Sequence, residues 1–121
     1  MSRDIEVTRA EDVVVACLRG DVDMACIPII SAHVLDALTM DVNGLIVDLT
    51  DVQYVDSAGV HMLFDFARRL EAGRQGMAIT LGPTSPVRRL LEITNLDQVI
   101  SVCVQHSDAV AAVSAGARRA Y

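Results

Sequence analysis

An apolar run of strand length, residues 45–49, leads through a short turn into Asp56-Ser57-Ala58-Gly59 and then into a stretch with helical periodicity. A strand that feeds directly into an amphipathic helix must bury one face of each against the other, which confines the chain to layered α/β arrangements. The junction also delivers a serine to a helix start. A hydroxyl there has three possible uses: a structural cap, a nucleophile or a phosphate acceptor.

At 121 residues the chain is long enough for one core and too short for two, so one domain spanning 1–121 is expected. Hydrophobic residues make up 52%, yet there are only two Phe, two Tyr and no Trp, so the core must be aliphatic. No apolar stretch approaches the ~20 residues of a spanning helix. Met1-Ser2-Arg3-Asp4-Ile5-Glu6 carries charges where a signal peptide has its apolar centre, so a cytoplasmic protein is expected. The net charge of −6 excludes a nucleic-acid surface, and the only basic clusters are the pairs Arg68-Arg69, Arg88-Arg89 and Arg118-Arg119. All ten basic residues are arginine, a composition that points to GC-rich codons and a bacterial source. Cys17, Cys26 and Cys103 are odd in number, lack a Cys-x-x-Cys spacing and lie in apolar contexts, so free buried thiols are expected. No three of Cys17, Cys26, Cys103, His33, His61 and His106 fall together at metal-ligand spacing, so neither a metal nor another cofactor is expected.

The period-two pattern of residues 5–9, a turn at Ala10-Glu11-Asp12 and the β-branched run 13–18 predict an N-terminal hairpin. A loop is expected over 20–23. A helix then starts near Cys26, with Pro28 in its first turn and Ile27, Ile30, Val34, Leu35 and Leu38 on one face. Asn43-Gly44 stops it. A buried strand over 45–49, a helix over 57–71 ended by Gly73, a strand over 77–81, a short helix capped before Pro86, a strand over 99–104 and an Ala-rich helix over 108–119 complete the order. The expected fold is a single α/β domain: a mixed, mostly parallel sheet with an N-terminal hairpin and about four helices.

In the second helix Gly59, Val60, Leu63, Phe64, Phe66, Ala67 and Leu70 form the buried face. Ser57, His61, Asp65, Arg68 and Arg69 form the wet face, with Ala58 and an exposed Met62 at the border. Ser57 as N-cap would contribute ~1 kcal/mol. A phosphate added there would meet free amides and the positive end of the helix dipole, adding roughly −1.5 to −2 charges without unfolding the helix. Ser57, His61 and Asp65 at i, i+4 and i+8 suggest a catalytic triad, but they lie on an exposed face with no cleft, no Gly-x-Ser-x-Gly elbow and no oxyanion loop. An enzyme is therefore not expected, and a solvated His61–Asp65 pair is the plainer reading.

Tyr54-Val55-Asp56-Ser57-Ala58-Gly59-Val60 resembles the Asp-Ser-(Ser/Ala)-Gly signature of the STAS domain, the sulfate transporter and anti-sigma factor antagonist family. Leu18-Arg19-Gly20-Asp21-Val22-Asp23 resembles the family's Gly-(Glu/Asp)-Leu-Asp segment. Ser85-Pro86-Val87-Arg88-Arg89-Leu90-Leu91 resembles its Ser-Pro-led helix, one residue shorter between the proline and the arginines. The resemblance implies a stand-alone anti-sigma factor antagonist that works by partner switching in transcription regulation and stress response. The unmodified form would bind an anti-sigma factor, a serine kinase of the histidine-kinase-like ATPase fold, and so free a sigma factor. The kinase would phosphorylate Ser57 and abolish the complex, and a PP2C-type phosphatase would restore it. Asp21, Asp23, Asp56, Ser57, Ala58 and Gly59 are the partner-binding residues this implies, with Gly59 admitting either partner backbone or the chain's own sheet; His61 and Met62 are expected to join them from their places one turn along the same helix, with the core margin as the plainer reading of Met62. The sequence departs from the family's usual small residues at His61 and Asp65, and from its usual Ser or Thr at Cys26. The i+4 position of His61 places it to pair with a phosphate on Ser57. The alternative within the same fold is a sensing or scaffold module that binds a small molecule or nucleotide, although no P-loop is present.

Overall fold

The computed structural model describes residues 5–119; the expected domain limits reach past both ends, and the charged segment Met1-Ser2-Arg3-Asp4 lies outside them. The elements are β1 (Ile5–Ala10), β2 (Val13–Val22), α1 (Ile27–Ala37), β3 (Gly44–Val55), α2 (Ser57–Ala72), β4 (Gly76–Thr80), α3 (Pro86–Ile93), a 3-10 turn (Leu96–Gln98), β5 (Ser101–Cys103) and α4 (His106–Arg119). The strands lie in the order β1-β2-β3-β4-β5. β1 is antiparallel to β2 and every other pair is parallel. α1, α2 and α3 therefore each link neighbouring parallel strands, as the alternation in the sequence requires, and α4 follows the last strand.

The period of two along the strands divides the core. Val14, Ala16, Leu18, Leu45, Val47, Leu49 and Ile79 face one way and pack with Ile30 and Val34 of α1, Leu63, Phe66 and Leu70 of α2, and Val87 and Leu91 of α3. Val13, Ile46 and Ala78 face the other way, where Ala109 and Val113 of α4 cover them. α4 comes so close to β4 that a Cβ on Gly76 would lie 2.2 Å from the Val113 carbonyl oxygen. A Cβ on Gly44, the register partner of Gly76 in β3, would lie 1.9 Å from the Gly76 oxygen.

Several expected boundaries move. The loop expected over 20–23 is strand as far as Val22, and the turn expected after residue 49 is strand as far as Val55. The two extensions pair with each other: Gly20 opposes Val52, Asp21 opposes Tyr54 and Val22 opposes Val55, with register shifts at Cys17/Arg19 and Gly20/Asp21. Burial of Val22, Val52 and Val55 drives this pairing, and the intervening polar residues concealed it in the sequence. α1 ends at Ala37, well before Asn43-Gly44. β5 is shorter than expected because Val99 and Val104 are exposed, α4 begins two residues earlier, and the 3-10 turn was not anticipated. The cysteines are free, as expected, but half-buried rather than buried. Burial nevertheless pushes all three thiols above the ordinary value of 9.0, helped by the Asp48 carboxylate at Cys17 and the Asp108 carboxylate at Cys103. The folded protein thus holds these protons more tightly than the unfolded chain, a stabilisation present below pH 9.0 that is lost as pH rises through the folded values. Iodoacetamide should alkylate the folded protein at neutral pH more slowly than the urea-unfolded chain. Equal rates would contradict the burial.

Candidate functional site at the β3–α2 junction

Because β2 and β3 are parallel neighbours, their extended C-terminal ends finish side by side. The amide of Asp56 donates to the carbonyl of Val22 at 3.0 Å, so the loop after β2 and the start of α2 form one rim. Asp56, with extended backbone, caps α2: its Oδ1 accepts from the Gly59 amide at 2.9 Å. This corrects the expectation that Ser57 is the cap. Aspartate outcompetes the neighbouring serine because its second oxygen has a further donor, the Met24 amide at 3.0 Å. One carboxylate thus ties the β2–α1 loop to the helix.

The loop has its own internal frame. Asp23 Oδ1 accepts from the Ala25 amide at 3.0 Å, a local turn stabilised by an aspartate side chain. The Cys26 sulfur lies 3.3 Å from the Asp23 amide, carbonyl oxygen and Oδ1, and 3.5 Å from the Asp21 carbonyl oxygen. The thiol makes no cap bond to α1, whose first turn is served by Pro28 instead. Cys26 therefore stands where a hydroxyl would brace the loop, and the sequence offered no signal for that role beyond its departure from the family pattern.

With the cap assigned to Asp56, Ser57 occupies the first helical position and is exposed. The Gly59 amide is taken by Asp56 Oδ1 and the Val60 amide by the Asp56 carbonyl oxygen. Among the described residues the amides of Ser57 and Ala58 have no hydrogen-bond acceptor, as expected for a first turn. The Ser57 hydroxyl therefore projects from the positive end of a 16-residue helix beside two free donors.

The other expected site residues divide. Asp21 is exposed, Asp23 is half-buried, and both lie on this rim with Asp56. Ala58 is half-buried and His61 exposed one turn along α2. Gly59 is buried and faces inward: a Cβ there would sit 2.6 Å from Val55 Cγ1 and 3.2 Å from the Val22 carbonyl oxygen. Its close approach is to its own sheet, not to an outside backbone. Met62, expected to be exposed, is only 4% exposed, because α1 packs over it. The three-residue line Ser57, His61, Asp65 forms no relay among the described residues: Asp65 pairs with Arg68 instead of His61. Two exposed apolar groups were missed, Met24 (73%) on the loop and Tyr54 (55%) on the extended end of β3. Tyr54 becomes legible as an outward strand position only once β3 is known to run to Val55. No cluster of three or more potential metal ligands occurs among the described residues, and none of their helices is long and apolar enough to cross a membrane.

Replacing Asp56 by alanine removes the cap and the loop tie together. The expected cost is about 1–2 kcal/mol, with faster amide hydrogen exchange at both Met24 and Gly59. Unchanged exchange at Met24 would show that the loop is held by other contacts.

The STAS domain family model matches residues 4–109. No curated protein sequence matches the chain. Among solved structures, an anti-sigma factor antagonist from Mycobacterium paratuberculosis is similar with a TM-score of 0.79 at 23% identity, over 93% of this chain and 97% of that one. The anti-sigma factor antagonist SpoIIAA in its unphosphorylated form gives a TM-score of 0.72 at 21% identity, covering 88% and 92%. The Bacillus cell fate determinant SpoIIAA in the phosphorylated form gives 0.67 at 20% identity, covering 88% and 96%. At these identities the likeness is one of fold.

Proposed function

The chain belongs to the STAS domain family, and from the geometry around Ser57 we propose that it is an anti-sigma factor antagonist acting by partner switching. The observation that carries this reading is the exposed Ser57 hydroxyl at the first position of α2, beside two free amides and on one rim with the Asp56-tethered loop. The unmodified rim, with Asp21, Asp23, Met24 and Tyr54 around Ser57, binds an anti-sigma factor and thereby releases a sigma factor. The anti-sigma factor is a serine kinase of the histidine-kinase-like ATPase fold. It transfers the γ-phosphoryl group of ATP to Ser57 Oγ, the hydroxyl proton leaves to a base on the kinase, and ADP departs. A PP2C-type phosphatase hydrolyses the phosphoserine and restores the binding form.

The chemistry suits a switch. The free amides of Ser57 and Ala58 and the helix dipole tolerate the phosphate within the fold. The same dianion in a packed interface faces desolvation and any acidic group of the partner, a penalty of several kcal/mol. In this reading the chain itself is not an enzyme, takes no cofactor, binds neither nucleic acid nor membrane directly, and works in the cytoplasm in a stress response.

The test is intact-mass measurement after incubation with Mg-ATP and the serine kinases of the same genome, with wild type beside Ser57→Ala. One added phosphate on the wild type and none on Ser57→Ala is expected. Phosphorylation that persists in Ser57→Ala, or none with any of the kinases, would contradict the assignment.

A further inference from the structure

Two helices follow the usual pattern of a surface helix, with charged residues along the exposed side: Asp65, Arg68, Arg69 and Glu71 on α2, and Arg89 and Glu92 on α3. α1 does not. Between Ile27 and Ala37 its one formally charged residue is Asp36. Burial tells its sides apart. Ile30 and Val34 are buried in the main core, and Ile27, Ser31 and Leu35 border α2. Pro28, Ile29, Ala32, His33 and Asp36 are exposed, and at i, i+1, i+4, i+5 and i+8 they share one outward side. At about 100° per residue, Ile29 lies nearly opposite the side that borders α2.

Isolated exposed apolar side chains are ordinary, but here they follow one another. The exposed Met24 leads into Pro28, Ile29 (44% exposed) and Ala32, and the only formal charge, Asp36, stands at the far end of the strip. A contiguous apolar surface rimmed by polar groups is what an interaction site presents.

Position and size decide what covers it. The Met24 amide donates to Asp56 Oδ2 at 3.0 Å, so the strip begins on the rim that carries Ser57 and runs away from it along α1. Met24, Pro28, Ile29, Ala32 and His33 are few beside the ~20–30 residues a side of a stable interface, too few for a self-contained dimer contact. Joined to the rim, they lengthen one continuous footprint. The rim is acidic: residues 20–26 and 50–60 hold Asp21, Asp23, Asp51 and Asp56 and no arginine. The partner surface that fits both parts is basic opposite the rim and apolar opposite α1.

We propose that the outward side of α1, centred on Ile29, is a second contact surface for the anti-sigma factor, apolar where the rim is charged. This contact presupposes that the partner is an anti-sigma factor, and it adds a region on a different helix from the one that carries Ser57.

The test is calorimetric titration of the full chain with the anti-sigma factor that phosphorylates Ser57, at low and at high salt. Ile29→Gln should weaken the complex about tenfold, and by the same factor at both salt concentrations, because the lost contact is apolar. Ala32→Arg, which sets a long charged side chain on the same side, should weaken it at least about tenfold. Ile93→Gln on α3, at a position more exposed than Ile29 (66%), is the control and should bind like wild type. Wild-type affinity in Ile29→Gln, a loss in it that vanishes at high salt, or an equal loss in Ile93→Gln would each overturn the proposal while leaving the switch at Ser57 intact. Failure of the wild-type chain to bind any anti-sigma factor of the same genome would instead overturn the reading of the partner, and this contact with it. A wild-type dimer in sedimentation that Ile29→Gln dissociates would also overturn the proposal, identifying the strip as a self-contact. Should Ala32→Arg fail to fold, Ile29→Gln against Ile93→Gln decides alone.

Discussion

Gly76→Ala is expected to cost about 3 kcal/mol or more and to lower the thermal midpoint by more than ~10 °C. The added Cβ would lie 2.2 Å from the Val113 carbonyl oxygen and 2.8 Å from the Val113 Cα, both backbone atoms of α4. No side chain can rotate away to relieve such a clash, so the helix must lift from the sheet. Lifting it exposes the second core layer of Val13, Ile46, Ala78, Ala109 and Val113. On the other side Gly76 is pinned by its amide bond to the Asn43 carbonyl oxygen at 2.8 Å and by its pairing with Gly44. Strand β4 therefore cannot retreat. Gly82→Ala is the control: its Cβ would meet nothing within 4 Å, and the change should stay within ~0.5 kcal/mol. Calorimetric melting of the two variants checks the pair. Similar midpoints would mean that α4 does not approach β4 as described.

Ser57→Glu is expected to weaken the complex with the anti-sigma factor at least thirtyfold while leaving the fold intact. A carboxylate in the first turn of α2 gains ~0.3–1 kcal/mol from the helix dipole, so melting should be unchanged or slightly raised. In the interface the same charge must be desolvated, at ~2 kcal/mol or more, and each 1.4 kcal/mol is tenfold in affinity. Ser57→Ala should retain binding, since it adds no charge. A glutamate variant that binds like wild type and melts normally would indicate that the surface at Ser57 stays wet in the complex.

The legible parts of this fold were those with strong periodicity. The amphipathic pattern of α2 fixed its extent nearly to the residue, and Ser85-Pro86 marked the start of α3 as expected. The extensions of β2 and β3 were not legible because each interleaves buried valines with polar residues such as Asp21, Asp51 and Gln53. Such segments look like loops until their mutual pairing is known. The same gap concealed the cap. With a turn placed before Ser57, serine is the natural cap; with a strand ending at Val55, Asp56 falls at the cap and Ser57 is freed. The expected nearness of the 21–23 loop to the start of α2 came with the family resemblance and not from spacing, and the structure shows it in the bond from the Met24 amide to Asp56; the burial of Met62 depends on α1, which no pattern within α2 can reveal.

The measurement that bears most directly on the switch is the affinity of the anti-sigma factor for three forms of the wild-type chain: unmodified, phosphorylated on Ser57, and phosphorylated then treated with a PP2C-type phosphatase. Binding should fall at least about a hundredfold on phosphorylation, as expected for a dianion placed in an interface at ~2.8 kcal/mol or more, and return fully on dephosphorylation. Equal affinity of the unmodified and phosphorylated forms would contradict the account.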